Sequence, residues 1–250
     1  MGFKKVLKAI GPVIAIAVAG GLAACDDGNF TFNGEKGVPL ADLDLSGDAP
    51  TDIVLLGPDT LDIRTGETLS IEVEGDEAIK DRLSFVRSDN SLAVTRTKGD
   101  SEGTATVIIT MPSPRRLTIG GSGVIKAAEL TGDAEGNVMG SGTLEIAGIS
   151  ADKLSVTVAG SGSMKAAGKT KSLELDVLGS GSADLAGLKA DEAEVTIAGS
   201  GSTTFSSDGE VNAEILGSGS VTVRGDARCK VHSVGSGSLV CERNVETVDD

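Results

Sequence analysis

The sequence predicts an all-β protein built as a right-handed parallel β-helix, and three observations support this fold class. A Gly-Ser-Gly triplet occurs seven times, and its first glycines are separated by 19, 20, 19, 20, 18 and 18 residues. Apolar and polar residues alternate on both sides of the triplets. The chain contains 35 glycines but neither Trp nor Tyr, which suits a narrow core of small aliphatic side chains. A period near twenty residues is typical of a solenoid, in which each unit buries its apolar stripe against the next.

Each triplet is predicted to form a corner between two strands. We expect its serine hydroxyl to bond to the neighbouring coils, while its glycines keep the stacked backbones close together. A phosphate-binding loop would need a single glycine-rich turn that opens a helix, so we interpret the repeated motif as structural. The first glycines of the corners are Gly121, Gly140, Gly160, Gly179, Gly199, Gly217 and Gly235.

A strand is predicted on each side of every corner. Apolar residues stand two and four positions before the first glycine, as Ile119 and Leu117 do, and four and six positions after it, as Ile125 and Ala127 do. This alternation is typical of a strand with one buried face. The stacked strands are expected to be parallel and to wind with the right-handed crossover. Eight residues after the corner, a second turn with positive φ is expected at Gly148, Gly168, Gly187 and Gly225.

Residues 1–24 are predicted to be a lipoprotein signal peptide. Three lysines precede an apolar run from Val13 to Ala19, which is too short for a lasting membrane span. The segment ends in Leu22, Ala23 and Ala24 before Cys25, which looks like a bacterial lipobox. We therefore expect Cys25 to be acylated and to anchor the protein to a membrane, since several acyl chains bind stably. An ordinary signal peptide beside an incidental cysteine is the alternative.

Three segments are expected after the signal peptide. Residues 25–37 are polar and glycine-bearing, which favours a lipid-anchored tether. Residues 38–114 keep β-type alternation without the period, so we predict irregular opening coils that cap the solenoid, with a turn at Gly57-Pro58 and a helical turn within 76–82. Residues 115–250 are predicted to form the regular coils. A separate small β-sandwich in the opening segment is the alternative.

The charge of the chain argues against nucleic acid as a partner. The formal net charge is −15 with a pI of about 4.5. Residues 1–24 hold three lysines and no acidic residue, so their removal would change −15 to −18. Neutralising phosphates requires an excess of Lys and Arg, which this chain lacks.

No catalytic, metal or cofactor site is predicted. Polysaccharide lyases with a β-helix fold need a base and metal-binding carboxylates that converge on one face, usually beside aromatic rings. The outward acids Asp176, Asp184, Glu194 and Glu214 are scattered among Thr, Ser and Lys, which favours simple solvated charge. The corner serines do not lie on a strand-to-helix elbow, where a hydrolase nucleophile would stand. Loose binding of divalent cations to the acidic surface stays open, without named ligands.

The two C-terminal cysteines are predicted to pair. Cys229 and Cys241 lie six residues before and six residues after Gly235, and both fall in inward columns of the repeat. In an oxidising compartment we expect a disulfide that staples the last coil, and two buried thiols are the alternative. The single histidine, His232, falls in an outward column, so no zinc site is expected.

The chain resembles a bacterial family on three features. These are the β-rich opening, a strand that ends in Met111-Pro112, and coils of the form Val-x-Val-x-Gly-Ser-Gly-Ser, and together they extend from about Val38 to Cys241. The family is named "putative auto-transporter adhesin, head GIN domain". The resemblance implies a secreted or lipid-anchored protein with a right-handed β-helix. Because no autotransporter barrel follows the β-helix before Asp250, lipid anchoring is expected in place of self-translocation.

We therefore expect a non-enzymatic lipoprotein of the bacterial cell envelope, facing the periplasm or the cell surface. Its β-helix would act as an adhesion or scaffold surface for a protein or polysaccharide partner. The adhesin part of this expectation is an analogy at the level of the fold. A carbohydrate-binding or carbohydrate-active β-helix is the alternative, and a groove with clustered carboxylates beside Arg or Lys would favour it.

Overall fold

The computed structural model describes residues 23–26, 29–88, 90–97, 99 and 102–242, with side chains from Thr31 onward. Residues 1–22 of the predicted signal peptide, including Leu22, lie outside the described residues. The rest of the lipobox belongs to a short strand, β1 (Ala23–Asp26). In the described part of the chain, no helix is long and apolar enough to cross a membrane.

The opening segment consists of short strands, a 3-10 turn and one helical turn. The helical turn is capped by the Asp76 side chain, which accepts from the backbone N–H of Ala78 at 2.9 Å, in agreement with the predicted turn within 76–82. The elements are β2 (Asn29–Phe32), β3 (Glu35–Lys36), a 3-10 turn (Leu40–Asp42), β4 (Asp52–Leu56), β5 (Thr60–Thr65), β6 (Ser70–Glu74), α1 (Glu77–Lys80), β7 (Leu83–Ser88), β8 (Ser91–Arg96) and β9 (Thr106–Met111).

The regular segment is the predicted parallel solenoid, with about seven turns in a nearly all-β structure. Each corner glycine column lies in register from coil to coil, because equivalent strands pair directly in parallel. The strands are β10 (Arg116–Gly121), β11 (Val124–Gly140), β12 (Thr143–Gly160), β13 (Ser163–Gly179), β14 (Ser182–Gly199), β15 (Ser202–Ser207), β16 (Glu210–Gly217), β17 (Ser220–Arg224), β18 (Arg228–Gly235) and β19 (Ser238–Glu242).

The bend opposite the corner differs from the prediction. In β11 to β14 the ladder continues through the bend, so each of these coils is one curled strand and not two strands joined by a glycine turn. Gly168 and Gly225 have the expected positive φ of 130° and 111°, whereas Gly148 and Gly187 lie in strands without it. Register shifts near the bend, such as that between Ile146 and Ile149, take up the change of direction.

The solenoid therefore has two main sheet faces that meet at the corners. We call face A the one formed by the strands that approach the corners, namely β8, β4, β10, the C-terminal halves of β11 to β14, β16 and β18. Face B is formed by the strands that leave the corners, namely β9, β5, the N-terminal halves of β11 to β14, β15, β17 and β19.

The opening coils stack out of sequence order. On face A, β4 pairs with β10 on one side and with β8 on the other, and on face B, β5 lies in the same way between β11 and β9. The coil made by β8 and β9 thus lies outside the earlier coil made by β4 and β5. All of these pairings are parallel, so the opening strands extend the same sheet as the regular coils.

The two ends of the solenoid are built differently. At the first end, β6 and β7 pair antiparallel with β9 and β8, which stops the parallel ladder. At the other end, β18 and β19 have no further described strand beside them. Val231 belongs to an inward column and is still 51% exposed, because no described coil covers it. Between the ends, one continuous core of Val, Ile, Leu and Ala fills the solenoid.

Candidate binding surfaces

The corners are held by backbone hydrogen bonds. The N–H of Ser141 donates to the carbonyl of Gly121 at 2.9 Å, and the N–H of Thr143 donates to that of Gly123 at 3.0 Å, a pattern that later corners repeat. The seven corner serine side chains are exposed, and no hydrogen bond within the described residues involves their hydroxyls. The expectation that these hydroxyls bond to the neighbouring coils was wrong, because the serine side chains face solvent and backbone groups alone make the hydrogen bonds between the described Gly-Ser-Gly corners.

The glycines of the corner are required by close approach. A Cβ at Gly140 would lie 2.6 Å from the carbonyl oxygen of Gly121, and Gly140 has a φ of 124°. A Cβ at the buried Gly142 would lie 2.6 Å from Cγ2 of Ile119, a core side chain of the previous coil. The first glycine therefore allows the positive φ of the turn and the close approach of stacked backbones, and the second glycine leaves room for a core side chain.

The last coil is closed by a disulfide. Cys229 and Cys241 are bonded, with their Cα atoms 6.7 Å apart, which confirms the predicted pairing. Cys229 continues the inward column of Val211, and Cys241 continues that of Val223. The bond thus joins faces A and B at the end of the core. His232 is exposed in the outward column of Glu214, as predicted.

Face A carries a polar column next to its core. It contains Thr118, Asn137, Thr157, Asp176, Thr196, Glu214 and His232. The pKa of the Asp176 carboxyl is raised to about 6, mainly by burial and also by the negative charges of Glu174 and Glu194, against the lowering effect of a hydrogen bond from Thr196. Three of the outward acids singled out in the sequence, Asp176, Glu194 and Glu214, therefore share face A, whereas Asp184 lies on face B.

Sequence reasoning missed an apolar column on the outside of face A. The residue immediately before the first corner glycine points outward, and in most coils it is apolar and only partly buried. A sequence signal existed, because the residue before the first corner glycine is apolar or glycine at all seven Gly-Ser-Gly corners and at Gly57, although the column ends in Thr95 in the coil of β8. We call this column the apolar ridge, and it consists of Leu56, Gly120, Met139, Ala159, Leu178, Ala198, Leu216 and Val234.

Face B carries a shallow groove of about 730 Å³ near the bend. Its lining includes the small side chains of Ala128, Ala147 and Ala167. Its rim carries both signs of charge, from Asp62, Arg64, Lys126, Glu145, Lys165 and Asp184. Only Asp62 and Arg64 among these charges form an ion pair within the described residues, at 2.7 Å.

Within the described residues, no group of three or more His, Cys, Asp and Glu side chains is arranged to hold a metal ion. Ala23, Ala24 and Cys25 have described backbones in β1, and their side chains lie outside the described set.

The fold and sequence also match known proteins. A family model described as "Putative auto-transporter adhesin, head GIN domain" matches residues 49–227. The chain belongs to this family. The resemblance noted in the sequence is therefore confirmed, and the head GIN family points to an adhesin-like protein at the cell envelope or surface.

Solved structures share the fold of this chain. A "putative adhesin" from Bacteroides fragilis is 19% identical, with a TM-score of 0.69 over 78% of this chain and 93% of that one. A "putative adhesin" from Parabacteroides merdae is 20% identical, with a TM-score of 0.62 over 78% and 93%. A "putative lipid binding protein" from Parabacteroides distasonis is 22% identical, with a TM-score of 0.61 over 79% and 95%. A comparison with curated proteins found no match.

Proposed function

We propose that this head GIN protein is a non-enzymatic lipoprotein of the cell envelope that binds a protein partner along face A. The observation that carries the proposal is the apolar ridge, which continues outside the core from the opening coil to the last one. Eight stacked coils at about 4.8 Å give the ridge a length of roughly 34 Å. A rigid solenoid with such a side suits adhesion or scaffolding, since no loop has to be ordered on binding.

The ridge offers both affinity and specificity. Met139, Leu178 and Leu216 present apolar surface that is only partly buried, and Val234 is 58% exposed. The polar column of face A runs beside the ridge, and its Asp176, Thr196 and Glu214 side chains are partly exposed and can form hydrogen bonds with a partner. An apolar strip bordered by polar groups is the usual arrangement of a protein interface.

Membrane anchoring through Cys25 is the second part of the proposal. It rests on the lipobox residues Leu22, Ala23 and Ala24 and on the polar segment 25–37, which would separate the solenoid from the lipid. Two or more acyl chains would give stable attachment. The solenoid would then project from the membrane with its sides accessible to the periplasm or the cell surface.

A second candidate function, carbohydrate binding, is favoured by the groove of face B. The groove holds Asp62, Glu145 and Asp184 close to Arg64 and Lys165, the combination that a polysaccharide site uses. Its apolar lining is mostly alanine, however, and the chain has neither Trp nor Tyr to stack against sugar rings. The apolar ridge therefore supports protein binding better than the groove supports sugar binding.

Two experiments test the proposal. Cys25→Ser should move the protein from the membrane fraction to the soluble fraction, and unchanged fractionation would defeat the lipid anchor. A photoreactive residue at Leu178 should give a defined cross-linked product in intact cells, whereas the same residue at the exposed Lys169, at the bend between the two faces, should not. Equal products from both positions, or none from Leu178, would overturn the role of the ridge.

A further inference from the structure

Face B carries four stacked charges that alternate in sign, and we propose that they form a homodimer interface between two antiparallel solenoids. The four residues pair in register from β11 to β14 and point outward beside the groove. We call them the charge column, and they are Lys126, Glu145, Lys165 and Asp184. In coil order their charges are positive, negative, positive and negative.

The four side chains of the charge column are not paired with opposite charges within the described part of one chain. Elsewhere, neighbouring coils do form ion pairs, such as Lys153 with Glu174 at 2.8 Å and Lys230 with Glu210 at 2.7 Å. None of the four column residues forms an ion pair with any residue in the described ranges. Asp184 accepts one 3.4 Å hydrogen bond from the backbone N–H of Ala186. Exposed charges with no internal partner are available to a partner molecule.

The order of charges in the column is complementary to the same order read in the opposite direction. If two copies face each other with a two-fold axis along the strands, between Glu145 and Lys165, the coil order is inverted across the interface. Lys126 then opposes Asp184 of the second copy, and Glu145 opposes Lys165 of that copy. The symmetry repeats both pairs, so all eight charges are matched, as an isologous interface requires.

Several other arrangements bring like charges together. A shift by one coil places Lys126 opposite Lys165 and Glu145 opposite another Glu145. Parallel solenoids in register place every charge opposite itself. Like charges in contact are unfavourable, so these arrangements are disfavoured. A shift by two coils avoids like charges, because Asp62 precedes Lys126 in the same column, but it leaves Asp184 without an opposed cation and overlaps fewer strands. The register centred between Glu145 and Lys165 therefore matches the column best.

Small side chains beside the charge column allow face B of one copy to approach face B of the other. Ala128, Ala147 and Ala167 are small and lie beside the charge column. The two-fold axis lies near the middle of face B, so four strands on each side of it overlap, from β9 to β17. Eight coils at about 4.8 Å, crossed by about six residues of about 3.3 Å, cover on the order of 700 Å² per copy, close to the ~800 Å² of a standard interface.

The net charge of the molecule also favours face B as the surface of contact between two copies. With a net charge of −15, two copies repel each other over most of their surfaces. The charge column sums to zero, and beyond it Thr204 would meet Asp62 of the other copy and could donate a hydrogen bond to its carboxylate. Face B is thus the part of the solenoid where a second acidic copy meets little repulsion.

Sedimentation equilibrium of the full chain carrying Cys25→Ser tests the dimer. The parent should be dimeric. Lys165→Glu should raise its dissociation constant by at least about tenfold, because two attractive pairs become repulsive. The swapped variant Glu145→Lys/Lys165→Glu keeps every opposed pair complementary in this register and should dimerise again. Thermal unfolding of each variant shows whether the solenoid itself is intact.

Three outcomes would overturn the proposal. A monomeric parent would leave the groove to another occupant, such as a polysaccharide. A dimer unaffected by Lys165→Glu would lie elsewhere on the surface. Failure of the swapped variant to dimerise, with its unfolding temperature preserved, would contradict the antiparallel register. None of these results bears on binding by the apolar ridge, which lies on face A.

Discussion

Arg96 and Asp59 form a buried ion pair at the first end of the solenoid. Nε of Arg96 donates to Oδ2 of Asp59 at 2.9 Å, and the side chains are 8% and 1% exposed. Asp59 also accepts from the backbone N–H of Ala105 at 2.8 Å, and Arg96 donates to the carbonyl of Gly103 at 3.0 Å. The pair therefore fastens the long connection between β8 and β9 to the corner of the next coil.

Arg96→Met is expected to destabilise the protein by about 3–5 kcal/mol, because it leaves the buried Asp59 carboxylate without its cation. Arg64→Met is the matched control, since the Arg64 side chain is 58% exposed in its pair with Asp62. An exposed pair contributes about 0–1 kcal/mol, so the control should change little. Urea unfolding measures the free energy of unfolding of both variants. Equal losses of stability would show that the buried pair contributes no more than the exposed one.

Gly142→Ala is expected to cost about 1–3 kcal/mol, because the new Cβ would press on Ile119 in the previous coil. Ser141→Ala, one residue earlier, should change stability by less than about 0.5 kcal/mol, because its hydroxyl is exposed and unbonded among the described residues. Thermal unfolding distinguishes them. A larger loss of stability from Ser141→Ala than from Gly142→Ala would indicate that the corner serine hydroxyls do bond between coils.

The regular coils were predictable because their information is local and repeated. The alternation around Ile119 and Ile125 defined the buried columns, and the same alignment placed Cys229 and Cys241 on facing sides of the core. A single period thus determined strand positions, register and the disulfide together.

The opening coils were not predictable in this way. Gly57 occupies the corner column beneath Gly121, but Asp59 stands where later corners have their second glycine, so the motif is hidden. Its partner Arg96 is 37 residues away in sequence. The interleaving of β4 between β8 and β10 depends on tertiary pairing, which no local pattern in the sequence records.

The charge column and the apolar ridge were missed for a different reason. Both consist of outward residues, and the repeat was aligned on its inward positions. Lys126 and Glu145 look like ordinary solvated charges until the register places them in adjacent coils. Surface function in a solenoid is therefore found by comparing outward columns, since a single side chain in isolation carries little signal.

Reducing the disulfide is expected to loosen the last coil only. A bond that closes a loop of this size contributes about 3 kcal/mol through chain entropy, and here the loop is one terminal coil. With dithiothreitol, amide hydrogen exchange should speed up in β18 and β19 and stay unchanged in β11 to β14. The Cys229→Ser/Cys241→Ser variant should show the faster exchange without reductant. Faster hydrogen exchange along the whole chain would contradict a disulfide that stabilises only the last coil.

Asp176 is expected to make stability depend on pH. Its folded pKa of about 6 lies above the ordinary value of 3.8, so the folded protein binds this proton more tightly than the unfolded chain does. The associated stability is present below about pH 4 and is lost as the pH rises through about 6. The full shift corresponds to about 3 kcal/mol, and solvent screening of the partly exposed carboxyl reduces it to about 1–2 kcal/mol.

Asp176→Asn should therefore stabilise the protein by about 1–2 kcal/mol at about pH 8 and give no gain at about pH 3.5, where the native carboxyl is already protonated. Glu192→Gln is the control, because it removes an exposed carboxylate from a neighbouring coil. Urea unfolding at the two pH values measures the difference. The same gain at both pH values would show that shape and not charge is responsible, and no gain at the higher pH would show that face A solvates the ionised carboxylate fully.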